Sequence, residues 1–214
     1  MSSTTQPTPF YLRRLMSLLG IVPIGAFVVE HALTNALAFF YGFDKWDEAV
    51  EWLNGLHYLI VLEIGLIGVP ILLHALIGLY IWVLGEPNVT HYGYTRNWLY
   101  ALQRWSGVIA LVFILYHVYK LRIEWKFTTD LDIVTSAYVN AYFQKMWIIA
   151  FYFIGITAVS YHFGNGLWNF LIKWGFAVGD RAQQFWMIVC SLAGLGVFAM
   201  FLSSLYAFSQ PVTG

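Results

Sequence analysis

The stretch Tyr58-Leu59-Ile60-Val61-Leu62-Glu63-Ile64-Gly65-Leu66-Ile67-Gly68-Val69-Pro70-Ile71-Leu72-Leu73-His74-Ala75-Leu76-Ile77-Gly78-Leu79-Tyr80-Ile81-Trp82-Val83-Leu84 decides the fold. A helix needs about 20 mostly apolar residues to cross the hydrocarbon core of a bilayer. This stretch exceeds that length and carries one acid, Glu63, and one histidine, His74. An imidazole inside a membrane is costly and by default marks a functional site. Moving outward, His31, His117 and His162 stand in equally apolar surroundings, and the gaps along the set are 43, 43 and 45 residues. One spanning helix plus a loop takes about 43 residues. Consecutive helices therefore carry one histidine each and alternate in direction.

Five spans are expected: Leu15–Tyr41, Tyr58–Leu84, Trp98–Leu121, Ala141–Lys173 and Arg181–Phe208. The loops Gly42–His57, Gly85–Asn97, Arg122–Asn140 and Trp174–Asp180 are short and hold Gly, Pro, Asn and charge. The fourth span is long and should tilt or project from the bilayer. Composition agrees: 60% of residues are hydrophobic and 10% charged, against about a quarter charged in a soluble domain. Net charge is zero, which gives no reason to expect nucleic acid as a partner. Aromatics reach 19%, with 10 Trp, many near span ends where the ring sits half in water. The lone cysteine, Cys190, and the absence of a CxxCH run exclude an internal disulfide, an iron–sulfur cluster and covalently attached haem. Residues 1–214 read as one membrane domain with a short polar N-terminal segment, Met1–Pro9, in which no cleavable signal is expected.

Charge sets the expected orientation. Arg13 and Arg14 precede the first span and only Lys45 follows it; basic residues favour the cytoplasmic side. Over the whole chain the bias is six basic residues against five, and the acids, Glu86 and Asp180 apart, fall mainly on the other side (Asp44, Asp47, Glu48, Glu51, Glu124, Asp130, Asp132). The expectation is a multi-pass protein of the cell inner (cytoplasmic) membrane with its N-terminus cytoplasmic. Depth then pairs the histidines. His31 lies about 16 residues, near 24 Å, into the outward first helix, and His117 about 19 residues into the outward third. His74 and His162 lie about 10 residues from the inner ends of helices two and four. His31 pairs with His117 in the outer half, and His74 with His162 in the inner half.

Two imidazoles at one depth suit an iron whose other four positions belong to a porphyrin. Such an iron has no vacancy for oxygen and passes electrons. The expected fold is thus all-α, with helices one to four bundled around two stacked, non-covalent haems b. A haem-free channel or transporter would instead show polar residues along a path and broken or repeated helices; the hydropathy pattern shows neither. His74 and His162 each begin an H-x-x-x-G-L run, which places Gly78 and Gly166 one turn on along the same face. There a glycine clears room for a flat porphyrin. His57 and His91 lack a depth-matched partner and read as interfacial or loop residues. Glu63, about five residues into helix two, is the candidate proton carrier for a quinone near the outer haem, because quinone reduction takes up protons. Glu30 points away from its neighbour His31 and is the weaker candidate. Arg13, Arg14, Ser17, Trp98, Arg104 and Lys173 gather at inner helix ends, where anionic propionates need donors.

The runs Arg13-Arg14-Leu15-Met16-Ser17-Leu18-Leu19-Gly20, Arg96-Asn97-Trp98, Leu102-Gln103-Arg104-Trp105-Ser106-Gly107-Val108 and His162-Phe163-Gly164-Asn165-Gly166-Leu167-Trp168 carry a resemblance. They closely resemble the dihaem cytochrome b membrane anchors of succinate:menaquinone oxidoreductases, from about Phe10 to the end of helix four. The resemblance implies two haems b, no bound flavin, a flavoprotein and an iron–sulfur subunit as partners on the cytoplasmic face, and menaquinone as electron acceptor. It places His31 and His117 at the outer, low-potential haem and His74 and His162 at the inner, high-potential one. Ser17, Trp98 and Lys173 fall where related anchors contact the inner propionates. Some related fumarate reductases carry a glutamate two residues before the fourth ligand, where this chain has Ser160. The expected function is to anchor succinate dehydrogenase and pass electrons from its iron–sulfur subunit to quinone. The alternatives are a quinol:fumarate reductase anchor running in reverse and, against the His162–Trp168 run, the anchor of a hydrogenase or formate dehydrogenase.

Overall fold

The computed structural model describes residues 10–85, 88–129 and 133–211. Met1–Pro9, Glu86, Asp130 and Asp132 lie outside the described residues. Five helical spans are long and apolar enough to cross a membrane: Phe10–Phe40, Leu59–Leu84, Thr95–Thr128, Met146–Lys173 and Asp180–Ser209. At 1.5 Å per residue each exceeds a hydrocarbon core of about 30 Å. Large apolar side chains stay exposed along them; Leu72, Val112 and Leu192 are 57%, 57% and 62% exposed. A water-soluble surface does not carry apolar area on this scale, so these faces belong against lipid.

The first span is two helices, α1 (Phe10–Ile21) and α2 (Pro23–Phe40). Pro23 has no amide hydrogen to continue the ladder, and the break falls where α2 starts on it. Hydropathy does not register this interruption, because the apolar run continues across it. A short interfacial helix follows, α3 (Phe43–Asn54). The second span begins as α4 (Leu59–Val61), loosens into a π-helical stretch at Leu62–Gly68 and continues as α5 (Val69–Leu84). The third is α6 (Thr95–Val118), a π-helical stretch at Tyr119–Glu124 and α7 (Trp125–Thr128). It runs seven residues beyond the expected end at Leu121, because Lys120 and Glu124 form an i,i+4 ion pair and Arg122 is paired elsewhere. The fourth span is shorter than expected. Residues up to Tyr142 form a separate helix, α8 (Ser136–Tyr142), and α9 (Met146–Lys173) starts after a turn. The last is α10 (Asp180–Ser209).

The first four spans close a ring: α1 packs on α5 and α9, α9 on α6, and α5 on α6. Spans one and three thus face each other across one diagonal, and spans two and four across the other. α10 lies outside the ring against α9 and α2. Its seam with α9 is a small-residue contact of the kind that lets membrane helices approach closely. A Cβ on Gly164 would meet the Cys190 carbonyl at 2.9 Å and Gly194 Cα at 3.0 Å, and one on Gly194 would meet the Ser160 carbonyl at 3.0 Å.

The densest core lies at the end of the bundle away from the start of α1. There α3 and α8 close over α2, α9 and α10, burying Trp46, Val50, Val139, Phe143, Tyr152 and Phe208. Asp47 on α3 accepts hydrogen bonds from Ser136 N (2.7 Å) and Oγ (2.6 Å) at the first turn of α8, where a carboxylate meets unpaired amides. Buried Asn140 donates to the carbonyls of Phe208 (3.0 Å) and Gln210 (2.9 Å), which the end of α10 leaves without helical partners.

Candidate functional site

The two diagonals bring the four spaced histidines together in two pairs. The ring centres of His31 (α2) and His117 (α6) are 5.8 Å apart, and those of His74 (α5) and His162 (α9) are 6.1 Å apart. In each pair the rings are nearly perpendicular, at 81° and 88°. An imidazole nitrogen holds a first-row metal at about 2 Å, and the ring centre lies about 1 Å behind it, so one ion between two imidazoles separates ring centres by about 6 Å. Both pairs have that spacing. Among the described residues no group of three or more His, Cys, Asp or Glu side chains is placed to hold an ion. Each pair presents two imidazoles to one another across the interior of the bundle.

The surroundings of the rings fit the same use. His74 Nδ1 is 2.9 Å from the Met16 carbonyl, and His162 Nδ1 is 3.0 Å from the Gln103 carbonyl. A carbonyl accepts from Nδ1–H, which fixes the tautomer and leaves the Nε2 lone pair for a metal. Gln103 Nε2 and Ser106 Oγ also lie 3.3 Å from His162 Nδ1. In the other pair, the Tyr152 hydroxyl is 3.3 Å from His117 Nδ1, and the Asn35 amide nitrogen is 3.3 Å from His31 Nδ1. Phe27 stacks on His31 at 5.2 Å and Phe113 tilts against His117 at 5.6 Å. Outside the spans, burial pushes the Tyr142 phenol above its ordinary range beside Tyr152.

Two glycines give the imidazoles their room. A Cβ on Gly20 would stand 2.6 Å from His74 Cε1, and one on Gly107 would stand 2.9 Å from His162 Cε1. The glycines expected to clear space behave differently. Gly78 faces open space, whereas a Cβ on Gly166 would touch Gln103 Nε2 at 3.3 Å. Gly20, Gln103, Ser106 and Gly107 escaped individual notice in the sequence, although the runs around Arg13 and Arg104 contain all four. No sequence signal singled them out, because hydropathy carries little phase where every outward face is apolar.

At the end of the bundle where α1 begins, several of the expected donors meet. The Arg14 guanidinium lies between Phe10 (4.9 Å) and Trp174 (4.7 Å), and Trp174 Nε1 donates to Ser17 Oγ at 3.1 Å. Lys173 closes the last turn of α9 at this same end of the bundle. Among the described residues no acid pairs with Arg13, Arg14 or Lys173. Arg104 faces the other way, toward α5. It donates to the Trp82 carbonyl, lies 5.4 Å from the Tyr100 ring centre and borders a cavity of about 220 Å³ with Trp82 and Trp105. Its buried Nε and Nη1 have no hydrogen-bond partner, so two charged donors stay available to an anionic group. Trp98 is exposed on the first turns of α6.

Glu63 has a partner that sequence did not reveal. Arg122 Nη2 lies 2.7 Å from Oε1 and 2.8 Å from Oε2. The pair ties together the two π-helical stretches, a backbone form that recurs at functional sites. His57 and His91 are exposed, against the Tyr58 ring and the Thr90 hydroxyl respectively, and neither joins a pair.

With this geometry in hand, known proteins give a direct comparison. Residues 86–203 match the family of succinate dehydrogenase/fumarate reductase transmembrane subunits. The chain is also 33% identical over 199 residues to the succinate dehydrogenase cytochrome b558 subunit of Bacillus subtilis (strain 168), covering 93% of this chain and 96% of the relative. The chain belongs to this family. It is a helical, membrane-spanning subunit of the succinate dehydrogenase/fumarate reductase type. The family match takes in His117 and His162, and the alignment with the Bacillus subtilis relative spans nearly the whole chain. No solved structure gives a significant match.

Proposed function

We propose that this chain is the haem-bearing membrane anchor of a succinate dehydrogenase, one domain over residues 1–214 with its N-terminus cytoplasmic in the cell inner membrane. It would carry electrons from an iron–sulfur partner, itself fed by a flavoprotein, to menaquinone. The observation that carries the reading is the double imidazole pair, spaced near 6 Å on two diagonals with a backbone carbonyl on each Nδ1 of one pair. His74 and His162 would hold an inner haem b, and His31 and His117 an outer one. When bound, a haem with two imidazole ligands supplies a one-electron couple with no open coordination position. The relative's name, a cytochrome, supports the same reading.

The protein's own groups do the rest. Met16 and Gln103 carbonyls orient the inner imidazoles, and Gly20, Gly78 and Gly107 keep their flanks clear. Ser17, Arg14, Lys173, Arg104 and Trp98 form the donor set for propionates, with Arg13 adding charge, and Gly166 lets Gln103 approach His162. Glu63, ion-paired with Arg122 at the far end, is proposed to exchange protons with a quinone near the outer haem. α3 and α8 cover that end and limit where water enters. The test is a pyridine haemochrome assay with acid–acetone extraction of the purified complex. All haem should be b-type, extractable, and present at about two per chain. A single haem per chain, or haem that resists extraction, overturns the assignment.

A further inference from the structure

The two imidazole pairs differ in what faces their Nδ1 atoms. His74 and His162 each meet a main-chain carbonyl, at 2.9 and 3.0 Å. His117 meets a side-chain hydroxyl instead, that of Tyr152 on α9, at 3.3 Å. A carbonyl belongs to the backbone and survives most substitutions. A phenol oxygen is supplied by this one side chain and disappears with it.

The Tyr152 ring is held from several sides. It is 4% exposed. Phe143 of α8 meets it at 4.6 Å and 80°, Phe113 of α6 at 5.1 Å and 89°, and Tyr142 of α8 at 6.0 Å and 75°. All three are edge-on contacts, a favoured aromatic arrangement. Phe113 reaches this seat over Gly155, three residues on from Tyr152, where a Cβ would collide with its ring. The phenol is thus aimed at His117 by packing that does not involve its own hydroxyl. Tyr152→Phe keeps that packing and removes one oxygen.

The chemistry of the ring fixes the direction of the hydrogen bond. A neutral imidazole carries its proton on one nitrogen and a lone pair on the other. If the phenol donated to Nδ1, the proton would stand on Nε2, and that nitrogen could not take a metal. For His117 to serve as a ligand, Nδ1–H donates and the Tyr152 oxygen accepts. An acceptor on this N–H fixes the ring orientation and makes the far nitrogen more basic. A more basic ligand favours the more positive, oxidised state of an iron.

We propose that Tyr152 is a positioning residue for the outer haem: its hydroxyl accepts from His117 Nδ1–H, sets the tautomer and rotation of that ring, and lowers the potential of the outer haem alone. The proposal deepens the function given above and rests on it.

The test uses the purified complex with its haems in place. Optical redox titration follows the two components, and low-temperature paramagnetic resonance reads the g-values of each, which depend on how the ligand planes are set. In Tyr152→Phe both haems should remain and the outer midpoint potential should rise. Loss of one net hydrogen bond changes the ratio of oxidised to reduced iron by about two- to tenfold, which is about 18–59 mV at 59 mV per tenfold for one electron. The outer resonance signal should shift with it, and the inner component should keep its potential and its signal. Tyr206→Phe removes an exposed hydroxyl from α10 and should leave both potentials alone. An outer potential unmoved in Tyr152→Phe overturns the proposal, as do two components that move together. Should Tyr152→Phe lose the outer haem, meta-fluorotyrosine at position 152 keeps the ring and the hydroxyl and only weakens the oxygen as an acceptor. It should raise the outer potential by a smaller amount, and no rise there overturns the proposal as well. An unmodified complex with fewer than two haems per chain fails at the earlier step, the function itself.

Discussion

At the scale of single residues, the site is a set of imidazoles whose neighbours were chosen for what they leave out. Gly20→Val would drive a methyl group toward His74 Cε1, already 2.6 Å from a bare Cβ, and Gly107→Val would do the same at His162. Redox-resolved optical spectra should lose the inner haem component in both variants and keep the outer one. The ligand substitutions divide in the same way. His74→Ala and His162→Ala should remove the inner component, His31→Ala and His117→Ala the outer, and loss of one component from both His31→Ala and His74→Ala would break the pairing. Glu63→Gln keeps the size of the side chain and a bond to Arg122 but cannot ionise. Quinone turnover should fall about a hundredfold at unchanged haem content and dye activity, the lower end of general acid–base effects; normal turnover would reduce the carboxylate to an ion-pair strut.

At the scale of elements, the α9–α10 seam is where the backbone leaves least freedom. Gly194→Leu would press a side chain against the Ser160 carbonyl and Gly164 Cα, at 3.0 and 3.1 Å from its Cβ. Both obstacles are backbone, so the helices must separate, at about 1–3 kcal/mol for overpacking of this kind. Gly196→Leu on the same helix meets nothing within 4 Å and serves as the control. Thermal melting of the complex in detergent should drop for the first and hold for the second. Ser160 belongs to the same seam: it is 3% exposed, and its carbonyl stands 3.0 Å from the position of a Cβ on Gly194. The break at Pro23 belongs at this scale too, because it separates α1, which packs on α5 and α9, from α2, which packs on α10 and α3.

At the scale of the whole molecule, orientation follows from charge and can be read by labelling. The native Cys190 is 1% exposed, so added cysteines report without background. Glu48 and Asp180, with 68% and 92% of their side chains exposed, lie at opposite ends of the bundle. In intact cells a membrane-impermeant maleimide should label Glu48→Cys and spare Asp180→Cys; the reverse pattern would invert the topology. Arg13, Arg14 and Lys173, which pair with no acid among the described residues, would then face the cytoplasm, the side on which the propionates and the catalytic partners are proposed to lie.

Sequence by itself determined the number of spans, their alternation along the chain and the placing of one histidine on each of the first four. All three depend on local quantities: apolar length against a bilayer of fixed thickness, and rise per residue along a helix. His31, His74, His117 and His162 were legible because a polar ring in an apolar run needs a reason. What tertiary structure decided depends on rotation about the helix axis and on which helix lies next to which. The carbonyls of Met16 and Gln103, the bare flanks at Gly20 and Gly107 and the Glu63–Arg122 pair joining two π-helical stretches each join residues from different helices. In lipid every outward face is apolar, so hydropathy carries little phase, and only the packed bundle shows which side of a helix meets a neighbour.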